Sequence, residues 1–380
     1  MANKVEFYRH SLGADEADEI EQTLGGVFLT AGPRTKQFEE WLASYLGVKG
    51  AVGLFSCTTA LFLAQKALDI GEGDEVITTP MTFIATSNTV LHTGAKLVFV
   101  DCEPRTANID LDQIEAAITP RTKAIMPVHL YGHMVDMRRL RAIADKHNLK
   151  IIEDCAHCIE GERDGVKPGQ LGDLACFSFY ATKNMASGEG GAVAGNDQKL
   201  LDRVRNLRTH GMNKEAANRY TDKFQHWDML DLGYKGNMFD IQAALLLPQI
   251  KKLDPNWERR EHLCQRYQEA FDAMDIQYPC VEEGTKSARH LFTIWVNPAK
   301  RDDVLTGLQQ RGIGVAVNYR AVHLLTYYRE KLGYTRGMYP NAELIGDSTI
   351  TLPLYPAMTD QQIETVIEAV RDTVQAVGGI

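Results

Sequence analysis

Seven consecutive segments fill residues 75–154 and set the pattern of the chain: EVITTP (75–80), FIATSNTVLHTG (83–94), KLVFVD (96–101), LDQIEAAIT (111–119), KAIMPV (123–128), MRRLRAIADKH (137–147) and KIIED (150–154). Four of them are short apolar runs, and the other three have the length and the residue spacing of helices. Short apolar runs that alternate with helices predict βαβ units. The sequence therefore predicts an α/β fold with a mostly parallel sheet.

The same pattern continues on both sides of these segments. AVGLF (51–55) predicts a strand, and a helix follows it from Thr58 to about Leu68. LACFSFY (174–180) and AVAGND (192–197) predict two more strands around an irregular Gly-rich loop. We therefore expect a mixed, mostly parallel sheet that lies between helices.

After residue 250 the character of the sequence changes. A charged helix is predicted over about 254–273, and further elements follow it: strand LFTIWV (291–296), helix DDVLTGLQQRG (302–312), strand VAVNY (315–319), and a closing helix after Thr359 with Gln362 at capping-box spacing. A chain of 380 residues exceeds one ordinary domain. We predict a large domain over residues 1–250, which includes the N-terminal segment, and a smaller C-terminal α/β domain over 251–380.

The composition is that of a soluble globular protein, with 44% hydrophobic and 24% charged residues. The net charge is −9 and no Lys/Arg cluster could follow a phosphate backbone, so we expect no nucleic acid as partner. No run of eighteen residues is apolar, so we expect no membrane span. The start, MANKVEFYRHSLG (1–13), lacks the apolar core of a secretion signal, and we expect a cytoplasmic protein.

The seven cysteines are scattered and predict no disulfide framework. Cys155 and Cys158 form the one close pair, in DCAHC (154–158). A zinc site would need a second pair at suitable spacing, and a redox pair would open a helix in a thioredoxin-like unit. We interpret both residues as buried packing residues and expect no metal.

Reactive side chains follow several of the predicted strands. Ligands of parallel α/β sheets bind beyond the carboxyl ends of the strands. Four groups fall at such ends: Ser56, Cys57, Thr58 and Thr59 after AVGLF; Met81, Thr82 and Phe83 after EVITTP; Asp154 and His157 after KIIED; and Ser178 and Lys183 around the end of LACFSFY.

These groups match the requirements of a pyridoxal phosphate site. Thr58, Thr59 and Ser178 would donate to the phosphate at a helix N-terminus. Asp154 would keep the ring nitrogen protonated, so that the ring accepts electrons. An aromatic face is available for stacking on the ring, and a lysine amine is available for covalent attachment and proton transfer. The candidates for these two tasks are Phe83 and Lys183.

Each of these residues alone has a plainer interpretation. Lys183 would be a solvated charge, Asp154 a strand-end cap, Thr58 a helix N-cap, Phe83 a core residue and His157 a satisfied core histidine. Their common position at one edge of one sheet favours the site.

Nine segments, in this order along the chain, resemble one protein family. They are TAGP (30–33), SCTTAL (56–61), GDEVITTPMTFIAT (73–86), TKAIMPVHLYG (122–132), IIEDCAH (151–157), FSFYATKNMASGEGG (177–191), RTHGM (208–212), GYKGNMFDIQAA (233–244) and LPLYPAMT (352–359). The chain is similar to the DegT/DnrJ/StrS sugar aminotransferases, within the fold-type I pyridoxal phosphate enzymes.

The resemblance implies a role for each matching residue. Lys183 would bind the cofactor covalently, Asp154 would pair with the ring nitrogen, and His157 would lie against the ring. The phosphate would be bound by Thr58, Thr59 and Ser178, with Phe83 stacked on the ring. The resemblance also implies a homodimer with active sites at the interface, in which the GYKGNM segment reaches the phosphate of the neighbouring subunit through Lys235.

The GYKGNM segment departs from the commonest family pattern, which has Asn at the position of Lys235 and Arg at the position of Asn237. This form is similar to the branch that aminates C4 of UDP-linked sugars for lipopolysaccharide. Lys235 would still neutralise a phosphate as a point charge. The candidate substrate contacts are Thr30, Met81, Tyr319 and His323.

The resemblance implies transfer of an amino group from glutamate, which leaves as 2-oxoglutarate, to a nucleotide-linked keto-sugar. C4 of a UDP-4-keto sugar is the preferred acceptor, in cell-surface glycan or amino-sugar biosynthesis; amination of C3 is the alternative. Three rivals are disfavoured. An oxidoreductase would need a G-x-G-x-x-G run, a dehydratase of this family would carry His where Lys183 stands, and a non-catalytic regulator should have lost Lys183, Asp154 or the phosphate donors.

Overall fold

We describe the protein from a computed structural model in which residues 4–213 and 226–379 are described. The helices are α1 (Ala14–Leu24), α2 (Pro33–Leu46), α3 (Cys57–Ala67), α4 (Ile84–His92), α5 (Leu111–Ala117), α6 (Met137–Lys146), α7 (Gln198–Leu207), α8 (Asp240–Leu246), α9 (Leu253–Asp272), α10 (Arg301–Gln310), α11 (Thr326–Leu332), α12 (Pro340–Ser348) and α13 (Asp360–Val377). The strands are β1 (Gly50–Leu54), β2 (Glu75–Thr78), β3 (Lys96–Phe99), β4 (Thr122–Ile125), β5 (Lys150–Asp154), β6 (Glu162–Arg163), β7 (Leu174–Ser178), β8 (Gly191–Gly195), β9 (Thr285–Lys286), β10 (Phe292–Trp295) and β11 (Thr349–Leu352).

One seven-stranded sheet, in the order β1-β8-β7-β5-β4-β2-β3, forms the centre of the fold. The five strands from β7 to β3 run parallel, whereas β8 pairs antiparallel with both β7 and β1. This topology confirms the predicted α/β fold and the mixed, mostly parallel sheet. Six of its seven strands begin and end within two residues of the segments predicted from the sequence, and β4 ends three residues before its predicted segment.

Neighbouring residues of each central strand pack into different clusters because successive side chains point to opposite faces. In β2 and β4, for example, Val76 and Ala124 pack with α3, whereas Ile77 and Ile125 pack with α5 and α6. Helices thus cover both faces, which explains why these strands are apolar throughout.

The C-terminal part of the chain has its own apolar core around the antiparallel pair β10–β11. Helices α9, α10 and α13 pack there, and so does Val5, which pairs with Ile313. The closing helix begins as predicted, since the Thr359 hydroxyl accepts from the Gln362 amide at 3.1 Å. The division into domains at residue 250 stays a prediction.

The predicted strand VAVNY (315–319) is wrong. Only Ala316 pairs with β11, through two backbone hydrogen bonds to Thr351. Two residues later the Asn318 amide donates to the Thr351 hydroxyl at 3.2 Å instead of a backbone carbonyl, so the ladder is not continued.

None of the helices in the described ranges has the length and apolar content that crossing a bilayer would require.

Gly191 is a point of close approach between the sheet and a helix. It pairs with Leu54 on one side and with Ser178 on the other. A Cβ atom here would lie 2.3 Å from the carbonyl carbon of Ser56 and 2.5 Å from the amide nitrogen of Cys57. The missing side chain therefore lets the N-terminus of α3 reach the ends of β1 and β7.

We predict that Gly191→Ala lowers the free energy of unfolding by roughly 1–3 kcal/mol, because backbone atoms must move to admit the methyl group. Gly25→Ala is the matched control, since a Cβ there meets its neighbours at 3.6 Å or more and its φ is −74°. Urea unfolding followed by circular dichroism measures both variants. Equal stability of the two variants would contradict the close approach.

Candidate active site

The N-terminus of α3 lies at the carboxyl end of β1. Ser56 is the N-cap residue, and its hydroxyl accepts from the Thr59 amide at 3.2 Å and lies 3.0 Å from the Thr59 hydroxyl. Thr58 is exposed and is not the cap, so its plainer interpretation as an N-cap is wrong. Because Gly191 joins β1 to β7, Ser178 ends its strand beside this turn. A helix N-terminus with hydroxyl groups beside it is suited to bind a phosphate.

Asp154 ends β5 and is buried. Its Oδ2 accepts from the Thr86 hydroxyl at 2.8 Å, and its Oδ1 accepts from the Ala156 amide at 3.1 Å. Burial raises the pKa of this carboxyl group, while the two hydrogen bonds lower it. No Lys, Arg or His in the described ranges forms an ion pair with Asp154 within 4.0 Å. A fixed, buried carboxylate without a full counter-ion fits a ligand that carries a positive ring nitrogen.

Lys183 lies in the loop after β7 and is half-buried. Burial lowers the pKa of its amine to about 8, although Cys57 and Asp154 act in the opposite direction. Asp154 is therefore close enough to Lys183 for its charge to act on the amine. The amine also lies 3.4 Å from Nε2 of His290. Its plainer interpretation as a solvated charge is wrong.

His157 connects the end of β5 to the C-terminal part. The Tyr131 amide donates to its Nδ1 at 3.2 Å, so Nε2 carries the proton in the neutral ring and donates to the Tyr319 hydroxyl at 3.1 Å. Burial, followed by the charge of Lys183, holds the pKa of His157 well below its ordinary value. The ring is thus a neutral, fixed surface beside Lys183.

Phe83 precedes α4 and is 53% exposed, so its interpretation as a core residue is wrong. Its ring centroid lies 5.7 Å from that of Tyr319. The two aromatic rings therefore form one wall near His157.

The structure brings most of the predicted residues together. The remaining four are Thr30, Lys235, Met81 and His323. Thr30 is exposed, and its hydroxyl accepts from the side-chain amide nitrogen of Asn237 at 3.2 Å. Lys235 is exposed one residue before Gly236, which lies against Thr59. Met81 is fully buried, and His323 is buried with Nε2 3.0 Å from Glu343. Their predicted roles in binding phosphate or substrate stay predictions.

Three side chains of the site are not predicted from the sequence: Thr86, Asn184 and His290. Thr86 lies one helical turn after Phe83, and spacing of three residues places both at the start of α4. Asn184 is adjacent to the lysine. His290 stands two residues before β10, more than 100 positions from Lys183, so only the tertiary fold brings them together.

Cys155 and Cys158 are buried packing residues, as predicted. Their thiols approach the carbonyl oxygens of Glu153 at 3.7 Å and Gly132 at 3.5 Å. Cys155 also lies near His129 and Glu153, which could together hold a cation. His129 and Glu153 already pair with each other at 2.8 Å. The expectation that the chain has no metal stays a prediction.

Known proteins match the chain over almost its whole length. The profile of the DegT/DnrJ/EryC1/StrS aminotransferase family matches residues 10–371. The spore coat polysaccharide biosynthesis protein SpsC of Bacillus subtilis is 44% identical over 371 residues, which cover 96% of this chain and 95% of that protein.

Two solved structures have closely similar folds. Spr1654 of Streptococcus pneumoniae, a candidate sugar aminotransferase solved in its PMP form, has 30% identity and a TM-score of 0.93 over 98% of this chain and 100% of that chain. The aminotransferase PseC of Helicobacter pylori has 28% identity and a TM-score of 0.91, with the same coverage. Spr1654 has also been solved in its PLP form.

The fold and the site define a pyridoxal-phosphate-dependent aminotransferase with fold-type I architecture. The chain belongs to the DegT/DnrJ/EryC1/StrS aminotransferase family. The cofactor predicted from the strand ends is thereby confirmed, and the fixed carboxylate of Asp154, the half-buried amine of Lys183 and the N-terminus of α3 all fit it.

We predict that Lys183 of the cofactor-free protein reacts with acetic anhydride with a half-maximal rate near pH 8. Only the neutral amine reacts, and its fraction rises through the pKa, so a lowered pKa shifts the curve down from the ordinary value of about 10.4. Peptide mass spectrometry measures the labelling at each pH. Exposed Lys36, read in the same samples, corrects for reagent concentration. A half-maximum above pH 10 would contradict the burial effect.

Proposed function

We propose that this enzyme moves an amino group from glutamate to the keto carbon of a nucleotide-linked sugar, with C4 of a UDP-4-keto sugar as the preferred acceptor. The observation that carries this proposal is that the half-buried amine of Lys183 and the buried carboxylate of Asp154 lie at the same edge of the sheet, where burial lowers the pKa of the amine to about 8. An amine with such a pKa can both accept and return a proton near neutral pH.

The side chains divide the work of the reaction. When bound, pyridoxal phosphate supplies an aldehyde that carries the amino group and a ring that accepts electrons. Nζ of Lys183 would bind that aldehyde and, after an amino group displaces it, would take the proton from the α carbon of glutamate. The same Nζ would later deliver a proton to the keto carbon of the sugar. Asp154 would hold the proton on the ring nitrogen.

Other residues would hold the ligand in place. Thr58, Thr59 and Ser178 would donate to the phosphate group at the N-terminus of α3. Phe83 and His157 would face the ring, and the hydrogen bond from His157 to Tyr319 ties that surface to the C-terminal part. The wall of Phe83 and Tyr319 would exclude water from the reacting atoms.

Two relatives support a role in amino-sugar or polysaccharide biosynthesis. SpsC is named for spore coat polysaccharide biosynthesis, and PseC for the biosynthesis of pseudoaminic acid. Lys235 and Asn237 in the GYKGNM segment favour C4 over C3, and amination of C3 stays the alternative. A cytoplasmic location stays a prediction.

We predict that the purified enzyme loaded with cofactor is yellow and that glutamate bleaches it. Borohydride reduction before the addition of glutamate should attach the cofactor to the peptide that contains Lys183, as mass spectrometry will show. Lys183→Ala should neither be tagged nor transfer the amino group, because the covalent link and the proton carrier are lost together. Full activity of Lys183→Ala would end this proposal.

The same spectrum identifies the acceptor. A UDP-linked 4-keto sugar added to the bleached enzyme should restore the yellow colour, since transfer of the amino group regenerates the aldehyde. Faster return with a 3-keto sugar would favour the alternative. A protein that stays colourless with the cofactor would favour a regulator.

We also propose that two copies of the chain form a dimer with the active sites at their interface. Exposed apolar side chains lie next to the site segments: Phe55 after β1, Tyr180 before Lys183, and Phe239 and Leu232 at the two ends of GYKGNM. An exposed apolar surface of this kind is typical of a protein–protein interface.

We predict that Leu232→Glu weakens the dimer and lowers amino transfer in parallel, because a charge replaces a side chain that is 76% exposed in the single chain. Light scattering after gel filtration measures the mass at micromolar concentration. Leu344→Glu is the control, since Leu344 is also exposed but lies on α12, in the C-terminal part. A dimer of Leu232→Glu as stable as the wild type would place the interface elsewhere.

A further inference from the structure

We propose that His290 is a positioning residue, whose Nε2 accepts a hydrogen bond from the Lys183 amine and holds that amine in place whenever it is not bonded to the cofactor. This inference rests on the proposed role of Lys183. It assigns His290 a task in the reaction that it performs through Lys183, without contact to the substrate or the cofactor.

A chain of hydrogen bonds fixes the His290 ring from behind. Nδ1 lies 3.0 Å from Oδ1 of Asn184. The Asn184 amide nitrogen donates to Glu160 at 2.7 Å and to the Ala288 carbonyl at 2.9 Å, which settles the orientation of the amide group. Its Oδ1 therefore faces His290 as an acceptor, and Nδ1 must carry the ring proton.

The tautomer determines what His290 offers to the lysine. A neutral imidazole with its proton on Nδ1 has a lone pair on Nε2, and Lys183 Nζ lies 3.4 Å from that atom. Burial, followed by the charge of Lys183, lowers the pKa of His290 well below its ordinary value, so the ring stays neutral. His290 therefore accepts, and the amine donates.

Glu160, at the end of this series of hydrogen bonds, is itself held by an ion pair in the protein interior. Glu160 pairs with Arg260 on α9 at 2.5 Å, and both side chains are buried. Asn184 is thus held between a buried carboxylate and a buried imidazole. An aspartate there would meet Glu160 as a second negative charge, so the amide, with one donor side and one acceptor side, suits this position.

The Lys183 amine needs a hydrogen-bond partner that fixes its position because a cavity lies beside it. Lys183 and His290 border a cavity of about 60 Å3, which Phe7, Tyr8 and Leu291 also line. A lysine side chain has four rotatable bonds, and an amine released from the cofactor would turn into such a space. Misplacement of a catalytic group by about 1 Å can lower a rate about 100-fold.

The test compares His290→Leu with His290→Gln. Leucine removes the acceptor, whereas the glutamine carbonyl can accept from the amine in place of Nε2. His133→Leu is the control, because His133 is also a buried histidine and no hydrogen bond joins it to Lys183.

The first readout is the pH profile of acetic anhydride labelling of Lys183 in the cofactor-free protein. A hydrogen bond to the amine favours its charged form, so His290→Leu should shift the half-maximum down by about one pH unit. His290→Gln and His133→Leu should match the wild type. The other groups that face the amine, Asp154, Cys57 and His157, are unchanged in all three variants. Equal profiles of the Leu and Gln variants at position 290 would overturn the proposal.

The second readout is kcat. His290→Leu should lower kcat about tenfold or more with little change in the KM for glutamate, and His290→Gln should recover most of it. An increase in the KM for glutamate with kcat unchanged would assign His290 to substrate binding instead and overturn the proposal.

A third measurement tests the proposal even if His290→Leu does not fold. Nitrogen-15 NMR of histidine-labelled wild-type protein, with His290→Gln used for assignment, shows which ring nitrogen carries the proton. A proton on Nε2 would overturn the proposal. Borohydride tagging separates the two proposals: a tagged Lys183 with an unchanged labelling profile refutes only the role of His290, whereas an untagged Lys183 refutes the proposed function.

Discussion

The buried carboxylate of Asp154 imposes the strictest constraint on this structure. A charge at the end of a central strand is costly unless hydrogen bonds and a positive ligand compensate it. Thr86 and the Ala156 amide supply the hydrogen bonds, and the cofactor ring would supply the charge in the role proposed for Asp154. β5 therefore has to end at this point, and α4 has to begin where its first turn reaches the carboxylate.

The parallel order of the sheet turns this local constraint into a complete site. β1, β5 and β7 all end at the same edge, so the predicted phosphate donors, the carboxylate and the lysine loop lie at one edge of the sheet. The antiparallel strand β8 contributes no catalytic side chain. Its first residue, Gly191, leaves room for the N-terminus of α3, where two of the predicted phosphate donors lie.

The sequence predicts the part of this arrangement that depends on local patterns. Apolar strands that alternate with helices predict the sheet, and residues at strand ends predict Lys183, Asp154, Thr59 and Ser178. The strand expected at 315–319 fails because a single hydroxyl, that of Thr351, takes over a backbone bond, which no periodicity reveals. His290 was missed for a similar reason: its position before β10 becomes meaningful only when two distant segments meet.

The segment before α1 contacts both the C-terminal part and the backbone of Lys183. Val5 is clamped to the C-terminal part by backbone bonds to Gly312 and Gly314, and the Tyr8 hydroxyl donates to the Lys183 carbonyl at 3.4 Å. A change that displaces residues 5–8 would thus act directly on the backbone of Lys183, the predicted cofactor lysine.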